Sequence, residues 1–172
     1  MLTGLYNKAT IQALIKNYLE SSRLQDKNQA LFIIDIDGFK EVNDHFGHLF
    51  GDAVIAEIAR QIRDAFRESD LVGRIGGDEF IALFKNIGDK NLILRKAEEL
   101  SRQLQRTYKA EPANYNISGS IGIVLSPEYG VEFDDLFQKA DQALYYVKSH
   151  GKNSFYLYHD ELPLPQYVSS RA

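Results

Sequence analysis

Residues Ala30-Leu31-Phe32-Ile33-Ile34 form a short uncharged apolar run that ends abruptly in Asp35-Ile36-Asp37. A run of this length, rich in isoleucine, suits a strand over 30–35 that is buried at the centre of a sheet. Carboxylates leaving such a strand are costly to bury unpaired. They need a cation, an arginine or water. Side chains alternate along a strand, which puts Asp35 and Asp37 on one face. A bend after Ile36 would instead give the two acids different roles.

The rest of the chain supplies elements to cover that strand. Residues 9–24 read as a helix with Ile11, Leu14, Ile15 and Leu19 on one face and Thr10 as a candidate cap. A short helix is expected over 38–46. A longer one over 52–66 carries Val54, Ile55, Ile58, Ile62 and Phe66 as its core face. Strands are expected at 71–75 and 80–84. The Gly76-Gly77 pair between them signals a tight hairpin, since glycine accepts positive φ without a Cβ clash. A helix over 89–104, a strand over 117–125, a helix over 133–148 and a last strand over 154–157 follow. The order α-β-α-α-β-β-α-β-α-β implies an α/β (α+β) fold, with a mixed sheet that contains an antiparallel hairpin. Residues 1–158 are read as one domain. Residues 159–172, with two prolines, are read as a tail that leaves it.

Composition narrows the function classes. There is no cysteine among the 172 residues, which removes disulfides and thiolate metal sites. The formal net charge is −4, so a basic surface for duplex nucleic acid is not expected. No uncharged apolar run is long enough to span a membrane, and no basic-then-apolar leader opens the chain. A cytoplasmic domain is expected, free or within a longer membrane-anchored protein.

Asp78-Glu79 directly follows the two glycines. If that hairpin lies beside the Asp35 strand, three or four carboxylates converge. Such a cluster repels itself unless a hard divalent cation neutralises it. Mg²⁺ is the usual choice with a phosphate substrate, because it bridges carboxylate and phosphate oxygens. Taken singly, an Asp-x-Asp at a strand end is more often a cap, and a Gly-Gly-Asp-Glu more often a turn. Their joint occurrence carries the argument.

These residues belong to a longer ordered set. It runs from Leu2-Thr3-Gly4-Leu5-Tyr6-Asn7 through Asp35-Ile36-Asp37-Gly38-Phe39-Lys40 and Asn43-Asp44. Gly47-His48, Gly51-Asp52 and Gly76-Gly77-Asp78-Glu79-Phe80 follow. Ser120-Ile121-Gly122, Ala140-Asp141-Gln142-Ala143-Leu144-Tyr145, Lys148 and Gly151-Lys152-Asn153 complete it. In this the chain resembles the GGDEF-domain diguanylate cyclases over nearly its whole length.

The resemblance implies a palm-like βαββαβ core of the nucleotidyl cyclase kind. It implies that two GTP molecules, one on each protomer of a homodimer, condense to cyclic di-GMP with release of pyrophosphate. It makes Asp35, Asp78 and the Ile36 carbonyl ligands of Mg²⁺ (or Mn²⁺). Glu79 would support that metal or the attacking hydroxyl, so Asp78 and Glu79 carry the catalysis. Asn43 and Asp52 would read guanine. A carboxylate accepts from both N1–H and the exocyclic amine, a pattern adenine lacks. Lys40, Lys148 and Lys152 would hold phosphates as point charges, with the backbone amides near Gly38 and Phe39. Gly76 and Gly77 would let the backbone approach the α-phosphate.

The resemblance also makes Arg67-Glu68-Ser69-Asp70 an RxxD product-binding site for cyclic di-GMP, with Arg67 and Asp70 as its contacts. The alternative for that string is a local salt bridge at a helix end. Arg95 or Arg102 would complete the product site, unless Glu99 takes the place. Lys8 and Lys152 stand where the family often has arginine. His48 is read as structural, and His45, His150 and His159 as surface residues. Flanking sensory or phosphodiesterase domains are expected in a longer protein. A non-catalytic module that senses GTP or cyclic di-GMP is the competing reading.

Overall fold

The computed structural model describes residues 2–22, 27–111 and 113–162. At its centre is β1 (Gln29–Asp37), every residue of which is buried. Its neighbours are β3 (Glu79–Phe84) on one side and β5 (Asn114–Ser126) on the other. Beyond them lie β2 (Leu71–Arg74) and β4 (Arg106–Lys109), giving the order β2-β3-β1-β5-β4. All of these pairs are antiparallel, whereas β6 (Phe155–Leu157) runs parallel beside β5. The expected palm-like mixed sheet is thus present.

The alternation of β1 sorts the core into two layers. Phe32, Ile34 and Ile36 pack with α2 (Phe39–Phe46), α3 (His48–Ala65) and α4 (Asn91–Gln103). Leu31 and Ile33 pack with Ile11, Ile15 and Leu19 of α1 (Lys8–Ser22) and with Leu136, Ala140 and Leu144 of α5 (Phe133–Ser149). Burial of each such side chain stabilises the fold by about 1.5–3 kcal/mol before entropy is subtracted. Asp35 and Asp37 share the parity of Leu31 and Ile33, so they end the α1/α5 face.

Several local readings are corrected. Asn7, not Thr10, caps α1. Its Oδ1 accepts the Thr10 amide at 3.0 Å, satisfying one of the orphan donors of a first turn. The earlier expected end of α1 falls on residues 23–24, outside the described residues. Helix α3 starts at His48 because Gly47, at φ 84°, turns the chain directly from α2 into it. Strand β4 was not foreseen; Arg106–Lys109 pairs with Asn114–Ile117, which also starts β5 before residue 117. Packing continues beyond residue 158, since Leu162 is buried. Among the described residues no helix is long and apolar enough to cross a membrane.

Candidate active site

The ladder between β1 and β3 sets Asp35 directly opposite Glu79. One step on, the Ile36 amide donates to the Asp78 carbonyl at 3.0 Å. The acidic hairpin therefore lies along the end of β1, which meets the condition that the sequence left open. Opposed residues of a ladder share a face, so the Asp35 and Glu79 carboxylates face the same side. Burial pushes both above the usual carboxylate range. For Glu79 the next cause is the charge of Asp35. For Asp35, Lys148 opposes the rise, while Asp78 and Asp37 add to it. Lys148, in the last turn of α5, holds Asp35 in an ion pair at 2.8 Å.

The hairpin closes through Glu79, whose carbonyl accepts the Ile75 and Gly76 amides at 2.9 and 3.3 Å. Neither glycine has the positive φ expected of it. Gly76 instead leaves room for the Glu79 side chain: a Cβ there would meet the Glu79 carboxylate at 2.6 Å and displace it. Arg74, which sequence reasoning passed over, braces the turn. Its guanidinium donates to the carbonyls of Gly76 (3.1 Å) and Gly77 (2.6 Å). The Arg74 amide also donates to the Tyr6 carbonyl at 2.9 Å, tying the hairpin strand to the N-terminal segment.

Immediately after β1, Gly38 adopts φ 75°, and a Cβ there would lie 2.2 Å from the Asn116 carbonyl. This turn launches α2 with no side-chain cap. The amides of its first turn, from Phe39 onward, have no intrahelical partner and suit an anion. Lys40 is exposed in that turn. Asn43 lies against Gly51, where a Cβ would fall 1.6 Å from its Oδ1. The next residue is the exposed Asp52, so the two candidate guanine readers come from adjoining parts of α2 and α3. Lys152 is exposed on the turn after α5, at φ 61°.

Asp37 takes a different role from Asp35, the possibility that the sequence left open. No bend separates them. Ser118 and Ser120 of β5, which sequence reasoning did not connect to the acids, donate to Asp37 at 2.8–2.9 Å.

The Arg67–Asp70 segment is a tied turn. Asp70 is buried; its Oδ2 accepts the Arg67 amide at 2.9 Å and its Oδ1 the Lys85 amide at 3.0 Å. The link between the two residues is amide to carboxylate, not the ion pair considered above. Arg67 is exposed, with its guanidinium 5.2 Å from the centre of the Phe84 ring. Glu99 is engaged by Lys96 and Gln103, while Arg95 and Arg102 are exposed on α4. Asp70→Ala strands two amides, each worth about 1–3 kcal/mol when left without an acceptor. The summed cost of about 2–6 kcal/mol is expected to lower the melting temperature by about 4–24 °C in a thermal scan. His48 is exposed, and the other histidines contact tyrosines: His45 Tyr115, His150 Tyr146, and His159 Tyr156.

A largely antiparallel, mixed palm sheet with helices on both faces and an acidic hairpin along its central strand defines a nucleotidyl-cyclase-like protein. The family model described as "Diguanylate cyclase, GGDEF domain" matches residues 1–154. The chain belongs to that GGDEF family. It is 34% identical over 154 residues to the bifunctional diguanylate cyclase/cyclic di-GMP phosphodiesterase MucR of Pseudomonas aeruginosa, covering 90% of this chain and 22% of that protein. It is 36% identical to the diguanylate cyclase TpbB of the same species, covering 89% of this chain and 35% of TpbB. The solved GGDEF domain of TpbB superimposes with a TM-score of 0.83 at 35% identity, covering 92% of each chain. The GGDEF domain of DgcB from Caulobacter crescentus, solved with c-di-GMP, gives 0.80 at 26% identity, covering 91% of this chain and 90% of that one. The chain thus spans between about a fifth and a third of the curated relatives MucR and TpbB.

Proposed function

We propose that this chain is a diguanylate cyclase domain that condenses two GTP molecules to cyclic di-GMP and releases two pyrophosphates. One observation carries the reading: Asp35 stands opposite Glu79 while Ile36 is bonded to Asp78, so the acids meet at the end of one strand. Asp35, Asp78, Glu79 and the Ile36 carbonyl form an oxygen-only donor set, which fits a hard cation such as Mg²⁺ or Mn²⁺. Among the described residues no three acids or histidines form a complete cage. Mg²⁺ needs none, since it keeps waters and takes one or two carboxylates with substrate phosphate. When bound, such an ion polarises the α-phosphate and acidifies the attacking 3′-hydroxyl.

The chain's own side chains do the positioning. Asn43 and Asp52 take the guanine edge. The free amides at the start of α2, with Lys40, Lys148 and Lys152, take the triphosphate. Holding each 3′-hydroxyl in line with the other nucleotide's α-phosphate is the main contribution. One domain holds one GTP, so two copies face each other, and activity depends on their pairing. The exposed Arg67 on Phe84 is the contact we assign to product, with Asp70 shaping the turn beneath it. The solved c-di-GMP complex of the DgcB domain supports product binding in the family.

The test is GTP turnover with Mg²⁺ by the isolated domain and by a version dimerised through a fused coiled coil, with products identified by mass. Cyclic di-GMP from the forced dimer is expected. If the forced dimer binds GTP and makes none, the chain is a nucleotide-sensing module.

A further inference from the structure

We propose that Asp37 is a positioning residue that holds the Gly151–Asn153 turn in place, so that Lys152 meets the nucleotide phosphates. The proposal rests on the reading of Lys152 as a phosphate contact. Asp37 is buried at 9% exposure, and three donors converge on its carboxylate, with the Ser120 hydroxyl shared between its two oxygens. Oδ1 accepts Ser120 at 2.9 Å. Oδ2 accepts Ser118 at 2.9 Å, Ser120 at 2.8 Å and the Asn153 amide at 3.2 Å. An acid so occupied is an anchor for the protein and not a free ligand.

The object it anchors is an unusual turn. Lys152 and Asn153 sit consecutively at φ 61° and 50°. Non-glycine residues avoid that region, asparagine least and lysine more. Such a conformation persists where its surroundings over-determine it, and it collects at functional sites. Here the surroundings are three tethers. The Lys152 amide donates to the Val147 carbonyl of α5 at 3.0 Å. Gln105 donates to the Asn153 side chain at 3.1 Å. The Asn153 amide donates to Asp37, the only one of the three tethers that comes from β1, the strand bearing Asp35. Asp37 therefore fixes Lys152 relative to the acidic cluster.

A double-mutant cycle tests this, with calorimetric binding of α,β-methylene GTP in Mg²⁺. Asp37→Ala and Lys152→Ala are each expected to weaken affinity about tenfold, the loss of one charge-assisted contact. The double variant is expected to be within about twofold of Lys152→Ala, since both act through one contact. Asp37→Asn should return to within about threefold of wild type. Its carboxamide oxygen accepts the Asn153 amide while its NH₂ donates to Ser120. Additive losses in the double variant, or an Asn variant no better than Ala, overturn the proposal and leave the cyclase reading standing. A wild-type chain that binds no analogue overturns both. If Asp37→Ala does not fold, the same cycle is run with Asp37→Ser, whose shorter side chain keeps a polar group but removes the Oδ2 that accepts the Asn153 amide.

Discussion

Asp78→Ala in the dimerised domain is expected to lower cyclic di-GMP synthesis on the order of a thousandfold or more, while the protein melts as wild type does. The two halves of that expectation come from different atoms of one residue. The backbone carbonyl of Asp78 accepts the Ile36 amide and extends the β1–β3 pairing; alanine keeps it. The side chain is half-exposed, so its truncation is expected to cost little stability. On the proposed cyclase reading its carboxylate holds the metal, and loss of a metal-binding carboxylate removes several kcal/mol of transition-state stabilisation. Product measured by mass against a thermal scan separates the two effects. Synthesis within tenfold of wild type would take Asp78 out of the site. A parallel loss of melting temperature would make its role structural. In a longer protein, the same substitution with signalling retained and synthesis gone favours the sensing module.

How far the sequence spoke depended on the kind of contact. Elements with an apolar period were legible: β1 from its isoleucine run, and α3 and α5 from their buried stripes. Strand β4 was missed because Arg106-Thr107-Tyr108-Lys109 has no apolar run. Its residues alternate between half-buried and exposed, and only pairing with Asn114–Ile117 makes it a strand. The acidic hairpin was legible, but the reason for its glycines was not. Positive φ is the common cause in two-residue turns. Here the loop leaves both glycines outside that region, and the Glu79 carboxylate occupies the space over Gly76. Register decided the remaining assignments. Pairing of Asp37 with Ser118, 81 residues away, follows from the β1–β5 ladder. No local pattern encodes that distance. The same holds for Lys148 on Asp35, which needs α5 laid across the end of β1. For Arg67-Glu68-Ser69-Asp70, the string alone fits two jobs, and only its position before the hairpin favours product binding. Asp70 in fact performs neither directly: it is buried and accepts two backbone amides, which shapes the turn and leaves Arg67 exposed.

The placement of Lys148 leads to the second large effect, at Gly122 on β5. A Cβ there would lie 2.0 Å from the Ala140 carbonyl, 2.5 Å from the Leu144 amide nitrogen and 2.8 Å from Leu144 Cβ. Two of these are backbone atoms of α5 and cannot rotate aside, so the helix itself must lift. Overpacking in a close-packed core costs about 1–3 kcal/mol where side chains can adjust. With helix backbone in the way, Gly122→Ala is expected near the upper end, about 3 kcal/mol, and Gly122→Val above it. In a chain of this size that lowers the melting temperature by about 6–12 °C for alanine. Gly88→Ala is the control, since its Cβ meets nothing within 4 Å and its φ is not positive; a shift under about 2 °C is expected there. The functional consequence separates this site from an ordinary core position. Helix α5 carries Lys148 to Asp35 and leads into the turn bearing Lys152. Lifting α5 should therefore raise KM for GTP in the fraction that stays folded, by more than a core substitution of equal cost on the α3 face, such as Ile58→Ala. Equal KM values at matched stability would show that α5 holds up the sheet without aiming the lysines.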